Sequence, residues 1–152
     1  MLKDLKLGVL LKNLDKSNFS FNLDLVLEGG CMNGAYEIGG LILIKELEKL
    51  KYFKIKRVSG ASVGAYAGLL YLIDKLHVYV EEYEIMKEGF RETLTLEKLE
   101  QQLRKLIYNL PDKEFKSLQK NKLYIRFYDV NTQECILKYK YKTREELIET
   151  IL

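Results

Sequence analysis

Leu23-Asp24-Leu25-Val26-Leu27-Glu28-Gly29-Gly30-Cys31-Met32-Asn33-Gly34 is the stretch from which the fold can be read. A short β-prone run ends abruptly in a glycine turn. Ala35 to Leu50 then carries helical periodicity, with Ile38, Leu41, Ile42 and Leu47 on one face and most charges off it. The same grammar repeats at once. Phe53-Lys54-Ile55-Lys56-Arg57-Val58 alternates like a strand and runs into Ser59-Gly60-Ala61-Ser62-Val63-Gly64. Ala65 to Lys75 follows as a strongly apolar helix. Strand, glycine turn, helix, strand, glycine turn, helix predicts a mainly parallel sheet with crossover helices, an α/β layered fold.

Working outward, His77 to Leu110 is charged and helix-prone, with an amphipathic stripe of Leu96, Leu99, Leu103, Leu106 and Ile107 that ends at Pro111. That stripe reads as core packing, with a lipid-facing lid as the alternative. Residues 123–130 and 135–141 read as two strands around the turn Asn131-Thr132-Gln133-Glu134. Thr143-Arg144-Glu145-Glu146 is a capping box opening a last helix, Arg144 to Leu152. Residues 1–22 read as a polar lead-in with room for a short helix, and 23–152 as one domain.

Composition narrows the function classes. Twenty-five basic and 22 acidic side chains leave a formal net charge of +3, and the basic residues are interleaved with acids, which argues against a nucleic-acid partner. One histidine and two cysteines, Cys31 and Cys135, make neither a zinc site nor a disulfide framework, so no metal or other cofactor is expected. The apolar run Leu7 to Leu11 is too short for a signal-peptide core, and no stretch reaches the roughly 18–20 apolar residues of a membrane span. The expected location is cytoplasmic, with peripheral membrane contact compatible with the sequence.

Gly60-Ala61-Ser62-Val63-Gly64 fits G-x-S-x-G, the nucleophile elbow. Flanking glycines let a strand turn sharply into a helix, leaving the serine hydroxyl exposed, and the following helix N-terminus favours developing negative charge. The plain alternative is a glycine-rich turn with an incidental serine. The first glycine turn also sits between a strand and a helix, so its N–H groups can face outward as an oxyanion hole requires. A phosphate-binding turn is the competing reading. However, Cys31 stands where the middle glycine of a dinucleotide fingerprint would be, and no Walker lysine follows.

Leu25 to Gly39 together with Ser59 to Ala65 resembles the patatin-like phospholipases, in particular the bacterial branch whose first block begins Glu-Gly-Gly. The resemblance is strong over residues 23–73 and weaker over 122–152. It implies a three-layer α/β/α fold with a mainly parallel sheet, here truncated at the C-terminus. It also implies lipid acyl-ester hydrolysis by a Ser–Asp dyad, acting on phospholipid or another acyl ester at a membrane surface. By this match Ser62 is the nucleophile, framed by Gly60, Ala61, Val63 and Gly64, and the backbone of Gly29, Gly30, Cys31 and Gly34 forms the oxyanion hole.

Three departures qualify the match. Cys31 replaces the third glycine of the oxyanion block, where a positive φ is expected. Asn33 replaces the family's basic residue. The chain contains no Asp-Gly, the dipeptide that carries the family's catalytic aspartate. Asp74 should lie about three turns along the elbow helix and Asp112 should serve a helix start, which leaves Asp129 as the stand-in base. Two expectations follow: a hydrolase weak or silent as this chain alone, or a non-catalytic homologue binding lipid or a partner. An incomplete sheet should also expose an edge open to self-association or a partner strand.

Cys31 reads as a small residue filling a tight turn, with a redox-sensitive thiol as the alternative, and His77 as a surface or helix-end residue. Tyr124, Tyr128, Tyr139 and Tyr141 with Lys138, Lys140 and Lys142 read as an aromatic-basic ribbon on a solvated edge, with lipid headgroup contact as the alternative.

Overall fold

A computed structural model describes residues 21–120 and 122–152; the expected lead-in helix lies outside them. Each glycine turn does what its sequence predicts. β1 (Phe21–Leu27) leads through a 3-10 turn (Cys31–Asn33) into α1 (Gly34–Lys49), and β2 (Phe53–Gly60) leads into α2 (Val63–Leu72). The helix-prone middle resolves into α3 (Leu76–Thr93) and α4 (Glu97–Tyr108). They are separated where Leu94 takes a left-handed conformation. A short α5 (Asp112–Leu118), β3 (Leu123–Asp129), β4 (Glu134–Lys138) and α6 (Arg144–Ile151) complete the chain.

The sheet order is β1-β2-β3-β4, with β1–β2 and β2–β3 parallel and β3–β4 antiparallel. This ordering decides the layers. Both parallel crossovers step in the same direction, and right-handed crossovers then deposit their helices on the same face. Burial agrees: Ile55, Val58, Leu123 and Ile125 point into the helices and are buried, whereas Arg57 and Arg126 on the other face are exposed. Among the described residues the architecture is therefore two-layered, and the expected third layer is not formed by them. Asp24, Val26, Arg57, Ser59, Tyr124 and Leu137 line a shallow groove on the open face. Among the described residues β1 is an edge of this sheet, and Val26 on it is 74% exposed.

Ile55 and Val58 are three residues apart, so strict alternation would put them on opposite faces. A register shift lets both face the core: Leu23 pairs with Ile55 but Asp24 with Arg57, which leaves Lys56 as a bulge. α2 is apolar all round because it is buried all round, packed on β1, β2 and β3 and beneath α1 and α3.

Glu48 ties three of these elements together. One of its carboxylate oxygens accepts from the Ile55 N–H at 2.9 Å, and the other from the buried Tyr71 hydroxyl at 2.7 Å. Glu48→Ala orphans both donors, and each buried orphan costs about 1–3 kcal/mol. A loss of about 3 kcal/mol in urea unfolding is the expected result; an unchanged midpoint would contradict this bracing.

The C-terminal helix starts at its capping box, with the Thr143 hydroxyl accepting from the Glu146 N–H at 3.1 Å. The Glu146 carboxylate reaches back to the Lys142 N–H, one residue before the cap. Of the tyrosine ribbon, Tyr124 and Tyr139 stack at 5.2 Å. Tyr141 instead turns inward, fully buried, donating to the Lys138 carbonyl at 3.0 Å.

Candidate active site

Ser62 sits between β2 and α2 with φ 52° and ψ −126°. A serine at positive φ is strained, at about 1–2 kcal/mol, and holds that shape only where its surroundings impose it. Here the two flanking glycines impose it. A Cβ at Gly60 would run into the Gly64 carbonyl group, and a Cβ at Gly64 would lie 2.5 Å from the Glu28 carbonyl oxygen. The α2 N-terminus thus rests directly on the end of β1. Ser62 itself is exposed and its side chain caps nothing, so its hydroxyl is free to meet a substrate.

The first glycine turn lies alongside. A Cβ on Gly29 would come within 3.5 Å of the Ser62 Cβ, so the turn and the serine share one site. Backbone bonds run from Asn33 N–H to the Gly30 carbonyl and from Gly64 N–H to the Ala61 carbonyl. The N–H groups of Gly29, Gly30, Cys31 and Val63 have no backbone acceptor among the described residues. Gly34 has another task. Its N–H is turned back onto the Cys31 and Met32 carbonyls, and its bare Cα makes room for Val63 and the Tyr79 hydroxyl. The expected oxyanion set therefore reduces to Gly29, Gly30 and Cys31, with Gly34 a packing residue.

Cys31 occupies the left-handed region at φ 50°, the positive φ expected at this position of the turn. Cys31→Gly is expected to relieve that strain and raise stability by about 1 kcal/mol in thermal denaturation. A drop in melting temperature would show that the thiol contributes packing that outweighs the strain.

Beside Ser62 an open pocket of about 630 Å³, solvent at its mouth included, is lined by Cys31, Val63, Tyr66, Tyr79, Met86 and Leu103 together with Leu96, Leu99 and Ile151. The α4 stripe thus divides: Leu106 and Ile107 go to the core, while Leu96, Leu99 and Leu103 face the pocket. Sequence reasoning missed Tyr66, Tyr79 and Met86 as pocket walls. Tyr66 lies in the apolar stretch read as a helix, while Tyr79 and Met86 sit in a segment read as charged, and nothing in either marked the side chains that border a void. Burial pushes the Tyr79 phenol up to about 12, so it stays protonated at neutral pH.

No histidine or carboxylate side chain lines this pocket among the described residues. Asp129 ends β3, four residues beyond Ile125, which pairs with Gly60, and it does not line the pocket beside Ser62. Its carboxylate accepts from the Asn131 N–H at 2.8 Å and the Thr132 N–H at 3.4 Å, closing the β3–β4 turn. No hydrogen bond joins it to Ser62 among the described residues. Asp74 is exposed at the opposite end of α2, paired with Lys45 at 3.6 Å. Asp112 lies in the first turn of α5, paired with Arg144 at 2.6 Å. His77 is exposed in the first turn of α3.

No protein-family model, curated protein or solved structure matches this chain. No helix among the described residues is long and apolar enough to cross a membrane, and no group of acidic, histidine and cysteine side chains among them could hold a metal ion.

Proposed function

We propose that the chain carries the nucleophile half of a patatin-like serine acyl hydrolase acting on lipid esters. The observation that carries this reading is the strained Ser62 backbone, pinned by Gly60 and Gly64 and facing an apolar pocket. In this chemistry Ser62 Oγ attacks the ester carbonyl. The N–H groups of Gly29, Gly30 and Cys31 receive the developing oxyanion, and each such donor is worth about 2.7–4 kcal/mol of barrier. The α2 N-terminus adds its positive dipole end to the same point. The leaving alcohol departs, and water then releases the acyl group from Ser62.

The component not supplied by the pocket is the base. Without a partner to take its proton a serine is a poor nucleophile, and an oxyanion hole with binding alone sustains only slow turnover. This same observation favours the second reading, a non-catalytic module that binds a lipid or partner in the Ser62 pocket. In either case β1, an edge among the described residues, offers a place for a partner strand or a second copy.

A fluorophosphonate probe, with the modified peptide mapped by mass spectrometry, separates the two. Labelling at Ser62 of the folded protein, lost on denaturation, supports the hydrolase. Folded protein that stays unlabelled with and without phospholipid vesicles supports the binding module.

A further inference from the structure

The glycine turn beside Ser62 is made of residues that do little to hold themselves in place. Gly29 and Gly30 carry no side chain to pack, and glycine has the widest backbone freedom of any residue. The N–H groups of Gly29, Gly30 and Cys31 have no backbone acceptor among the described residues. Donors that serve a reaction have to stay within about 0.5 Å of one arrangement, so a hold from outside the turn is needed. Glu28, the residue leading into the turn, is gripped from two sides. Its carbonyl oxygen lies against Gly64, 2.5 Å from where a Cβ would stand. Its N–H donates to Glu37 Oε1 at 2.9 Å.

Glu37 is a firm anchor. It sits in the first turn of α1 next to Ile38, which is 2% exposed, and the Tyr79 hydroxyl of α3 fills the room left by Gly34 in that same turn. Stability alone does not account for a carboxylate here. Glu37 Oε2 is buried with no hydrogen-bond partner among the described residues, a cost that an apolar side chain would avoid. Glu28 is exposed, so its N–H can turn to water once Glu37 is removed. Nor does Glu37 line the pocket, so it acts through the turn and not on a ligand. What its hydrogen bond secures is position. We propose that Glu37 is a positioning residue of the Ser62 site: it fixes the end of β1, and thereby aims the N–H groups of Gly29, Gly30 and Cys31. This role rests on the reading of Ser62 as the nucleophile that the turn serves.

Fluorophosphonate labelling, followed to saturation, compares the unmodified protein with Glu37→Met and Glu37→Gln, each first shown to be folded by circular dichroism. Methionine keeps the length of the side chain without its accepting oxygen. The saturating rate should fall about 10- to 100-fold, the order that a misplacement of about 1 Å costs, while the half-saturating probe concentration and the urea midpoint hold. Glutamine keeps an accepting oxygen and should restore the rate. Amide hydrogen exchange followed by NMR reads the same bond without any chemistry at Ser62. The Glu28 amide should exchange slowly in the unmodified protein and at least about tenfold faster in Glu37→Met, with the Gly29 and Gly30 amide signals shifting alongside. Rapid exchange of the Glu28 amide in the unmodified protein overturns the proposal without recourse to any variant. Labelling of Glu37→Met at the unmodified rate overturns it while leaving the Ser62 reading intact, and so does a loss that glutamine fails to repair. An unmodified protein that never labels at Ser62 removes the hydrolase reading instead. Unchanged Gly29 and Gly30 signals in Glu37→Met would then overturn the proposal, and shifted ones would uphold Glu37 as the residue that sets the turn.

Discussion

Ser62→Ala should lose at least about 1,000-fold in the rate of covalent capture by a fluorophosphonate, because the attacking oxygen is gone while the hole and pocket remain. The fold should survive. Ser62 is exposed, its side chain makes no cap, and its removal leaves no buried group unmet. Ser62→Gly sharpens the test. Glycine accepts φ 52° without penalty, so this variant should be equally unreactive yet more stable than the parent by about 1 kcal/mol. Opposite changes in reactivity and stability are what strain held for function predicts. Urea unfolding and probe labelling on the three proteins read both axes. Labelling that persists in either variant would place the reactive group elsewhere and sink the assignment of Ser62.

How far this site was legible follows from what kind of constraint each residue answers. The two glycine turns were readable because glycine is demanded by backbone geometry, and that demand is local: Gly60 and Gly64 are needed within a single strand-to-helix turn. The expectation of positive φ at Cys31 was readable for the same reason. The number of layers was not. It depends on the direction in which successive strands are added, a property of pairing that no single segment encodes. The Lys56 bulge hides similarly, since Lys56-Arg57 looks like a lapse in alternation until the register with β1 is known. Asp129 illustrates the limit most sharply. By position it closes a strand, as a base might, yet its oxygen is taken by the next turn. Tyr141 went inward because its hydroxyl meets the Leu123 carbonyl of β3 as well as the nearby Lys138 carbonyl, and the first is a partner only the folded sheet supplies.

The same distinction predicts the largest stability effect in the molecule. Gly64→Ala should cost about 3–5 kcal/mol, comparable to the whole stability of a small domain, and appear as loss of soluble protein or a collapsed urea midpoint. The added methyl would lie 2.5 Å from the Glu28 carbonyl oxygen and 2.9 Å from the Leu27 carbonyl. These are backbone atoms, so no side chain can swing aside. Relief requires the end of β1 to separate from the α2 N-terminus, and the Gly29–Cys31 turn begins at that end. A folded Gly64→Ala protein should therefore also lose its fluorophosphonate reactivity, because the oxyanion donors move away from Ser62. Gly39→Ala is the control. It lies within α1 with nothing within 4 Å of the added methyl, so alanine should stabilise by about 0.5–1 kcal/mol through helix propensity alone. Two identical chemical changes are thus expected to differ by about 4 kcal/mol or more and in sign. Similar midpoints for the two would mean that α2 does not rest on the end of β1, and the juxtaposition of the two glycine turns would fall with it.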